Sequence, residues 1–292
     1  MKRTDSFEAR QKMCRENCEV FHSYNSTPVE VEYHSHDFYE ILVFISGTVT
    51  YIIEGKAYHL RPGDILLTSN RELHKPIVAP GKPYERFVVW IQESYFRKIS
   101  SMGREDTDVS ACFNCSNQQH YNLLHPDSEL LQSVFQILDN LLALQSDVGY
   151  GTDLLKNCLM GELLVYLNRS YLNTTAEVGR DVEYNEKISD ILCYINQNLC
   201  EPLTLDSLAK QFYVSKYHLT REFQTFTGFS LHQYIIKKRL IAAKILLQQG
   251  YPVKEAFSNS GFGDYSHFSR SFQREYGLSP RAYREAFTHS NS

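Results

Sequence analysis

The sequence contains no long apolar run, and its longest runs extend over five residues, as in Ile41–Ile45. A membrane-spanning helix needs about 20 mostly apolar residues, so the sequence predicts none. The first 17 residues, MKRTDSFEARQKMCREN, lack the apolar core of a secretory signal. The seven cysteines are odd in number and scattered, unlike those of a disulfide framework. We therefore expect a soluble, cytoplasmic protein.

The sequence also lacks a nucleophile elbow, a P-loop and a dinucleotide-binding fingerprint, which argues against the enzyme classes that carry them.

Its net charge of −4 is small but unevenly distributed. Residues 185–292 hold 13 Lys and Arg against nine Asp and Glu, a net charge of +4, whereas residues 1–184 carry −8. This asymmetry favours a polyanionic partner for the C-terminal third.

The N-terminal part combines a β-rich region with two helices. Residues 29–91 contain short runs rich in Val, Ile, Tyr and Phe between turn signals, which predict a small barrel or sandwich. Residues 127–144 and 153–171 have helical periodicity and are joined by 146–151, so we expect an antiparallel hairpin that also offers a dimer face. Residues 173–184 have no periodicity and are predicted to be a linker.

The C-terminal third contains an internal repeat. An offset of 48 residues, widening to 49 after a turn, aligns Leu208 with Ala256, Val214 with Phe262, HLTREFQ (218–224) with HFSRSFQ (267–273), and Gly228 with Gly277. Each copy is predicted to be a short helix, a tight turn and a second helix, which is the helix-turn-helix arrangement. The polar side chains on the outer face of each second helix are suited to hydrogen bonding with base edges.

The connection between the two copies is a further helical pattern. Residues 231–248 form an uninterrupted stretch of 18 residues, which as a helix is ~27 Å long. A strut of that length could hold two recognition helices in successive major grooves, which are ~34 Å apart. We expect its basic residues to meet phosphates: Lys237, Lys238, Arg239 and Lys244.

These motifs make residues 185–290 similar to the double helix-turn-helix domain of the AraC/XylS family of bacterial transcription regulators. The resemblance is carried by SLAKQFYVSKYHLTREFQTFTGFS (207–230), RLIAAKILL (239–247) and SGFGDYSHFSRSFQREYGLSPRAYR (260–284). It implies base contacts from Tyr217, Thr220, Arg221, Tyr265, Ser266, His267, Ser269 and Arg270. Phe257 departs from the family, which usually has a small residue there, and we expect local repacking around it.

A second candidate site lies in the β-rich region. If Tyr33–Phe44 is one strand, His34, His36 and Glu40 share a face, and His74 follows a later strand. HSHDFYE followed by Gly47 resembles the first cupin motif, and cupin-like barrels are the usual sensory domains of the family. The four residues are therefore predicted to bind an effector. Three histidines and a glutamate also suit a metal, although the second cupin motif is incomplete, and a purely structural role is a third alternative.

The sequence thus predicts an α+β multidomain protein: an N-terminal cupin-like β-barrel with a helical hairpin, and a C-terminal all-α double helix-turn-helix domain. The predicted boundaries are 1–125 for the barrel, 126–172 for the hairpin, 173–184 for the linker and 185–292 for the DNA-binding domain. Cys112 and Cys115 form a lone C-x-x-C pair, best interpreted as free thiols.

The resemblance implies a DNA-binding transcription regulator, more often an activator, that responds to a small-molecule effector, for which the family suggests a carbohydrate. Its expected partners are double-stranded DNA, RNA polymerase and a second copy of the chain. We expect no membrane association, no cofactor and no enzymatic activity. Two rival functions stay open. One is a cupin metalloenzyme fused to a DNA-binding domain, and the other is a DNA binder that needs no effector.

Overall fold

The computed structural model describes residues 13–14, 17–27, 31–113, 121–173 and 182–288. The chain divides into two compact units, Met1–Glu183 and Tyr184–Ser292. Cys115 and residues 174–181 of the predicted linker lie outside the described residues. Within the described ranges, no helix combines the length and the apolar character that crossing a membrane requires.

The first unit is built on two antiparallel sheets. Its strands are β1 (Cys18–Asn25), β2 (Tyr39–Ser46), β3 (Val49–Ile53), β4 (Lys56–His59), β5 (Ile65–Thr68), β6 (His74–Val78), β7 (Tyr84–Ile91), β8 (Leu123–Leu124) and β9 (Val182–Glu183). One sheet has the order β1-β7-β2-β5-β8, and the other has the order β6-β3-β4-β9.

Strand β2 is central to the unit because both of its faces are buried. Ile41 and Val43 belong to a core shared with helices, whereas Leu42 and Phe44 belong to a second core between the sheets. Alternate residues of a strand point to opposite faces, so the run ILVFI supplies both cores at once. The core between the sheets is the interior of the predicted barrel.

Three helices cover the outer face of the first sheet: α1 (Glu93–Ser100), α2 (Ser128–Leu144) and α3 (Thr152–Asn173). Helix α2 begins after Asp127, whose carboxylate accepts a hydrogen bond from the Leu130 amide at 2.8 Å. The predicted helical hairpin is therefore present. The prediction missed α1 and β1, and β1 pairs along its whole length with the distant β7.

The end of the predicted linker is not irregular. Val182 and Glu183 form β9 and pair with Tyr58 and Ala57 of β4. Val182 is buried in the core between the sheets, so burial of its side chain fixes this short edge strand. The linker prediction is therefore wrong for these two residues.

The second unit is entirely helical among its described residues. It consists of α4 (Glu186–Gln197), α5 (Leu205–Gln211), α6 (Lys216–Thr227), α7 (Leu231–Gln248), α8 (Val253–Asn259), α9 (Tyr265–Tyr276) and α10 (Pro280–Thr288). The pairs α5–α6 and α8–α9 are the two predicted helix-turn-helix copies, and α7 joins them. The predicted fold class, a sheet-based domain followed by an all-α double helix-turn-helix domain, is confirmed.

The two copies repeat even in their backbone details. Gly228 ends α6 and Gly277 ends α9, both in the left-handed region at φ 75° and 74°. Within the turns, Tyr213 has φ 53° and its counterpart Gly261 has φ 85°. The left-handed conformation costs a residue with a Cβ atom roughly 1–2 kcal/mol. The second turn avoids this cost by using glycine.

Candidate functional site

The outer face of α6 is polar and its inner face is apolar. Leu219 and Phe223 are buried, whereas Tyr217, Thr220 and Arg221 are exposed. The helix is capped by Ser215, whose hydroxyl accepts a hydrogen bond from the His218 amide at 3.2 Å. The spacing of three and four residues between the inward side chains leaves the predicted base-contacting residues on the solvent side.

Helix α9 presents an equivalent face. Tyr265, Ser266 and Arg270 are exposed, and the Arg270 Nε donates a hydrogen bond to the Ser266 carbonyl at 3.2 Å. His267 and Ser269 are half-buried, and the His267 ring lies against Phe262 with ring centroids 5.8 Å apart. Of the five residues of α9 that are predicted to contact bases, three are therefore exposed and two are half-buried at the edge of the core.

The departure at Phe257 is accommodated by aromatic packing. Its ring meets Tyr265 edge to face at a centroid separation of 5.5 Å and contacts Phe268 at 5.7 Å. Phe268 is fully buried in the core of the second copy. The larger side chain thus joins α8 to the start of α9.

The prediction that α7 supplies phosphate contacts is wrong for three of its four basic residues. Lys238 and Lys244 are only 6% and 2% exposed. Arg239 donates to the carbonyls of Leu199 and Glu201, at 2.9 and 2.8 Å. Helix α7 packs against helices of both copies, so side chains on several of its faces are enclosed.

Lys237, the fourth of these basic residues, is half-exposed and pairs with Glu275 at 2.7 Å. Its charge is therefore already partly neutralised by a residue at the end of α9. The other three basic residues of α7 serve the packing of the domain, whereas phosphate contact by Lys237 stays a prediction.

In the first unit, three of the four predicted effector residues form one buried cluster. His36, Glu40 and His74 each offer a ligand atom, and these atoms all lie within 4.8 Å of one another. His34 adjoins the cluster, because its ring centroid is 4.3 Å from that of His74. However, it contributes no atom to that group. We call His36, Glu40 and His74 the barrel cluster.

The predicted single strand over Tyr33–Phe44 is wrong. Strand β2 begins only at Tyr39, and His34 instead forms an isolated bridge with His74 at the start of β6. Because β6 belongs to the second sheet and β2 to the first, the intervening residues cross from one sheet to the other. The crossing brings the histidines together by tertiary pairing rather than by strand alternation.

Backbone carbonyls fix the orientation of all three imidazoles. The Nδ1 atoms of His34, His36 and His74 lie 2.9, 2.6 and 3.1 Å from the carbonyl oxygens of Glu32, Phe38 and Glu72. A carbonyl oxygen only accepts hydrogen bonds, so each Nδ1 carries a proton, and in a neutral imidazole the Nε2 atom then offers a lone pair. The Glu40 carboxylate is held by Trp90, whose Nε1 donates at 2.8 Å.

A buried network holds the turn that precedes His74. The Glu72 carboxylate accepts from the Ser69 amide at 2.7 Å and from the Asn122 side chain at 2.9 Å. Asn122 also donates to the Leu67 carbonyl and accepts from the Tyr58 hydroxyl, at 2.8 and 3.0 Å. This network fixes the position of His74 in the interior.

Burial dominates the titration of these groups. Burial, aided by His34, lowers the pKa of His74 to about 3, and burial also lowers the pKa of His34. Burial raises the pKa of Glu40, opposed by the hydrogen bond from Trp90 and the charge of Arg86. His74 is therefore a neutral imidazole at neutral pH.

Further polar groups occupy the same interior. Arg86 is buried, donates to the Asn25 side chain at 2.7 Å and lies 3.9 Å from the centroid of the Tyr84 ring. The Tyr84 hydroxyl is buried and has no hydrogen-bond partner among the described residues. Tyr51 and Trp90 are also buried there. Which side chains of these strands face the interior depends on strand register.

A second recess, not singled out by the sequence, lies on the helical side of the first unit. It has a volume of about 400 Å³ and is lined by residues of β1, α1 and the α2–α3 turn, including Tyr95, Lys98 and Lys156. The Tyr95 hydroxyl already donates to Asn157 at 2.8 Å. No charged residue found among the described lining is fully buried, so the recess resembles a solvated surface cleft.

Cys112 is buried, and burial raises the pKa of its thiol to about 12. A thiol that stays protonated is neither a good nucleophile nor a ready metal ligand. Cys115 lies outside the described residues.

Comparison with known proteins covers both units. A family model described as an AraC-like ligand binding domain matches residues 19–164, and one described as a helix-turn-helix domain matches residues 208–286. The HTH-type transcriptional activator RhaS of Salmonella paratyphi A is 27% identical over 264 residues, covering 86% of this chain and 87% of RhaS.

Two solved structures are also similar. The DNA-binding domain of AdpA, in complex with a target DNA, is 29% identical, with a TM-score of 0.34, and covers 35% of this chain and 93% of that one. ToxT of Vibrio cholerae with a bound unsaturated fatty acid is 16% identical, with a TM-score of 0.41, and covers 92% of this chain and 96% of ToxT. Because the ligand-binding family model alone matches half of the sequence, and the helix-turn-helix model follows it, the chain belongs to the AraC family of DNA-binding transcription regulators.

Proposed function

We propose that this protein is a transcription activator whose DNA binding is controlled by a small molecule held in the barrel. The proposal rests on two features of the same chain. One unit has two outward polar helix faces, and the other has a buried, polar interior. The first feature suits base recognition, and the second suits a small ligand. The activator assignment is supported by the name of the relative RhaS.

The DNA interface consists of the polar faces of α6 and α9. Arg221 and Arg270 are the principal base readers, since an arginine fork matches the two acceptors of guanine in the major groove. Tyr217, Thr220, Tyr265, Ser266, His267 and Ser269 complete the interface. The two half-buried residues, His267 and Ser269, act mainly by setting the angle of α9 against its core.

The effector is a small polar molecule, with a carbohydrate as the favoured class. Its hydroxyl groups would pair with His34, His36, Glu40 and His74, and the buried Tyr84 hydroxyl is one further group in need of a partner. Aromatic side chains such as Phe38 and Trp90, whose ring centroids are 4.4 Å apart, offer apolar faces beside these polar groups. Effector binding changes regulation only if it favours one arrangement of the protein over another.

The proposal also includes two protein partners, a second copy of the chain and RNA polymerase. Exposed apolar residues lie along α3 and the α2–α3 turn, namely Val148, Tyr150, Leu154, Leu155 and Leu172. An apolar surface of this kind favours association of two hairpins in a homodimer. Activation then requires contact with RNA polymerase in the cytoplasm, where both meet the DNA.

The control by an effector is testable on DNA affinity. Full-length protein would first select a duplex from a random library, and its Kd for that duplex would be measured by fluorescence anisotropy against a panel of aldopentoses and aldohexoses. We expect one sugar to change the Kd by about fivefold or more, the lower end of ordinary allosteric coupling. The Tyr84→Phe variant should weaken that response, because it removes only the buried hydroxyl.

Tyr24→Phe is the matched control, because Tyr24 lies on β1 opposite Glu85 and therefore faces away from the interior. It should respond as the natural protein does. A response that is equal in both variants would contradict an effector site at Tyr84. A Kd that no sugar in the panel changes would contradict the carbohydrate class.

The rival metalloenzyme has one supporting observation, the donor set of the barrel cluster. It requires a reaction that residues 1–183 catalyse without the DNA-binding unit. The relatives found are transcription regulators, which favours regulation over catalysis.

A further inference from the structure

Tyr213 is an exposed aromatic residue that lies outside the recognition helices. It belongs to the turn between α5 and α6, and it is 93% exposed. A ring that stays in solvent gains almost nothing from removal of apolar surface from water. The side chain of Tyr213 therefore does not contribute to the stability of the second unit through packing.

The backbone of Tyr213 is strained as well. Its φ of 53° lies in the left-handed region, where a residue with a Cβ atom is less stable than glycine. The turn is closed by a hydrogen bond from the Val214 amide to the Ala209 carbonyl at 3.0 Å. Strained residues that the fold itself does not need occur mainly where a protein meets a ligand, so Tyr213 is a candidate for such a contact.

The second copy shows that this turn forms without a side chain. Gly261 occupies the equivalent position at φ 85°, and a Cβ atom there would lie 2.0 Å from the Leu199 carbonyl oxygen. The second turn therefore excludes a side chain, whereas the first turn presents a phenol ring to solvent. A partner of Tyr213 is consequently a partner of the first copy alone.

The charges around Tyr213 favour an anionic partner. Lys210 lies near the end of α5 and Lys216 begins α6, and both residues are exposed. Asp206 pairs with Lys216 and offsets one of these two positive charges. An excess of one positive charge stays beside the turn, and attraction to a phosphate is the usual effect of such a surface on DNA.

The place of the turn within a helix-turn-helix unit indicates a contact with the DNA backbone. Such a unit sets the N-terminal residues of its second helix against base edges in the major groove. Tyr213 precedes Lys216, the first residue of α6, by three positions, so their Cα atoms are at most about 11 Å apart. The groove is about 12 Å wide between its phosphate walls, so the phenol is within reach of a wall.

We propose that the Tyr213 hydroxyl donates a hydrogen bond to a phosphate oxygen at the edge of the groove that α6 enters. Tyrosine is among the side chains that bind phosphate oxygens, and such contacts position a protein without reading sequence. The first copy then has an anchor on the backbone that Gly261 cannot provide in the second. The inference rests on the DNA binding through α6 proposed above.

Three variants of the full-length protein separate the hydroxyl, the ring and the backbone strain. Tyr213→Phe removes only the hydroxyl, Tyr213→Ala removes the ring but keeps the Cβ atom, and Tyr213→Gly removes both. The Kd is measured by fluorescence anisotropy on a duplex selected from a random library and on a nonspecific duplex. We expect Tyr213→Phe to weaken binding to both duplexes about two- to tenfold, the factor that one hydrogen bond contributes. The other two variants should lose at least as much.

Stability should not follow affinity in this series. Tyr213→Gly should unfold at the same urea concentration as the natural protein or at a higher one, because glycine adopts the left-handed conformation without a Cβ penalty. Weaker DNA binding by a variant of undiminished stability excludes partial unfolding as the cause. Tyr150→Phe is the matched control, since Tyr150 is a fully exposed tyrosine of the first unit, and it should bind DNA as the natural protein does.

A scan of the selected duplex with single methylphosphonates, each of which replaces one charged phosphate oxygen by a methyl group, locates the contact. One position at the edge of the α6 groove should weaken binding by the natural protein, and the same replacement should have a smaller effect on Tyr213→Phe. This loss of additivity is expected only when the hydroxyl and the phosphate are in contact.

Three results would overturn the inference while leaving DNA binding through α6 in place. One is an unchanged Kd of Tyr213→Phe on both duplexes, and another is a loss confined to the selected duplex, which would indicate a base contact. The third is a lower urea midpoint of Tyr213→Gly, which would assign the residue a structural role. A natural protein that binds neither duplex would instead overturn the proposed DNA interface together with this contact.

Discussion

The Gly261→Ala variant is expected to lose at least about 4 kcal/mol of folding free energy in the second unit, in the range of severe, mechanism-specific substitutions. A Cβ atom at this position would lie 2.0 Å from the carbonyl oxygen of Leu199. That oxygen accepts a hydrogen bond from the Arg239 Nε at 2.9 Å, so it cannot retreat without breaking the contact between α7 and the α4–α5 connection. The backbone angle of φ 85° adds strain of its own.

Gly277→Ala is the matched control, because Gly277 has a similar φ of 74° but no heavy atom within 4 Å of the added Cβ. We expect it to cost only about 1–2 kcal/mol, the price of the left-handed conformation. Urea unfolding of the full-length proteins, followed by circular dichroism at the helical signal, measures both. Equal losses in the two variants would mean that the Leu199 carbonyl does not constrain the turn.

The Arg221→Ala and Arg270→Ala variants are expected to weaken binding to a selected operator by about 1–3 kcal/mol each, or roughly 5–150-fold. Each arginine is exposed on the outer face of its recognition helix, so its removal should leave the fold intact. Each should also relax base preference at one position of its own half of the site. The double variant should lose close to the sum, since the two residues lie on different helix-turn-helix copies.

Arg281→Ala serves as the control, because Arg281 is an exposed residue of α10 that pairs with Glu285 at 2.9 Å. Its removal lowers the net charge equally but touches no recognition helix. Binding to operator and to nonspecific duplex would be compared at several salt concentrations. A loss that is equal on both duplexes, with a shallower salt dependence, would mean that Arg221 and Arg270 contact phosphates rather than bases.

The fold of the second unit could be predicted closely from the sequence because the signals that define each helix lie within or next to that helix. Caps such as Ser215 and Asp264, the apolar spacing of α6 and α9, and the repeated glycines all lie within a few residues of the helices they define. The local pattern did not predict that Lys238 and Lys244 are buried. Lysine is usually exposed, but α7 lies between two copies that enclose it.

The first unit was harder to predict because its pairings are distant. Strand β1 pairs with β7, whose partner residues lie 59 to 73 positions later in the chain, and its sequence CEVFHSYN mixes polar and apolar residues. His34 reaches His74 through a bridge between sheets, which no spacing within Tyr33–Phe44 reveals. The residue types were enough to predict which side chains form the barrel cluster. The bridge between His34 and His74 places His34 beside the cluster rather than within it.

Hydroxyl-radical footprinting of the full-length protein, on the DNA flanking its own gene and with excess nonspecific competitor, tests the central claim most directly. Two recognition helices joined by α7 should protect two adjacent major grooves on one face of the duplex, about 34 Å apart, for each monomer. Protection should disappear in the Arg221→Ala and Arg270→Ala double variant and persist in Arg281→Ala. Protection of a single groove, or none on any DNA that the protein selects, would contradict sequence-specific binding by both copies.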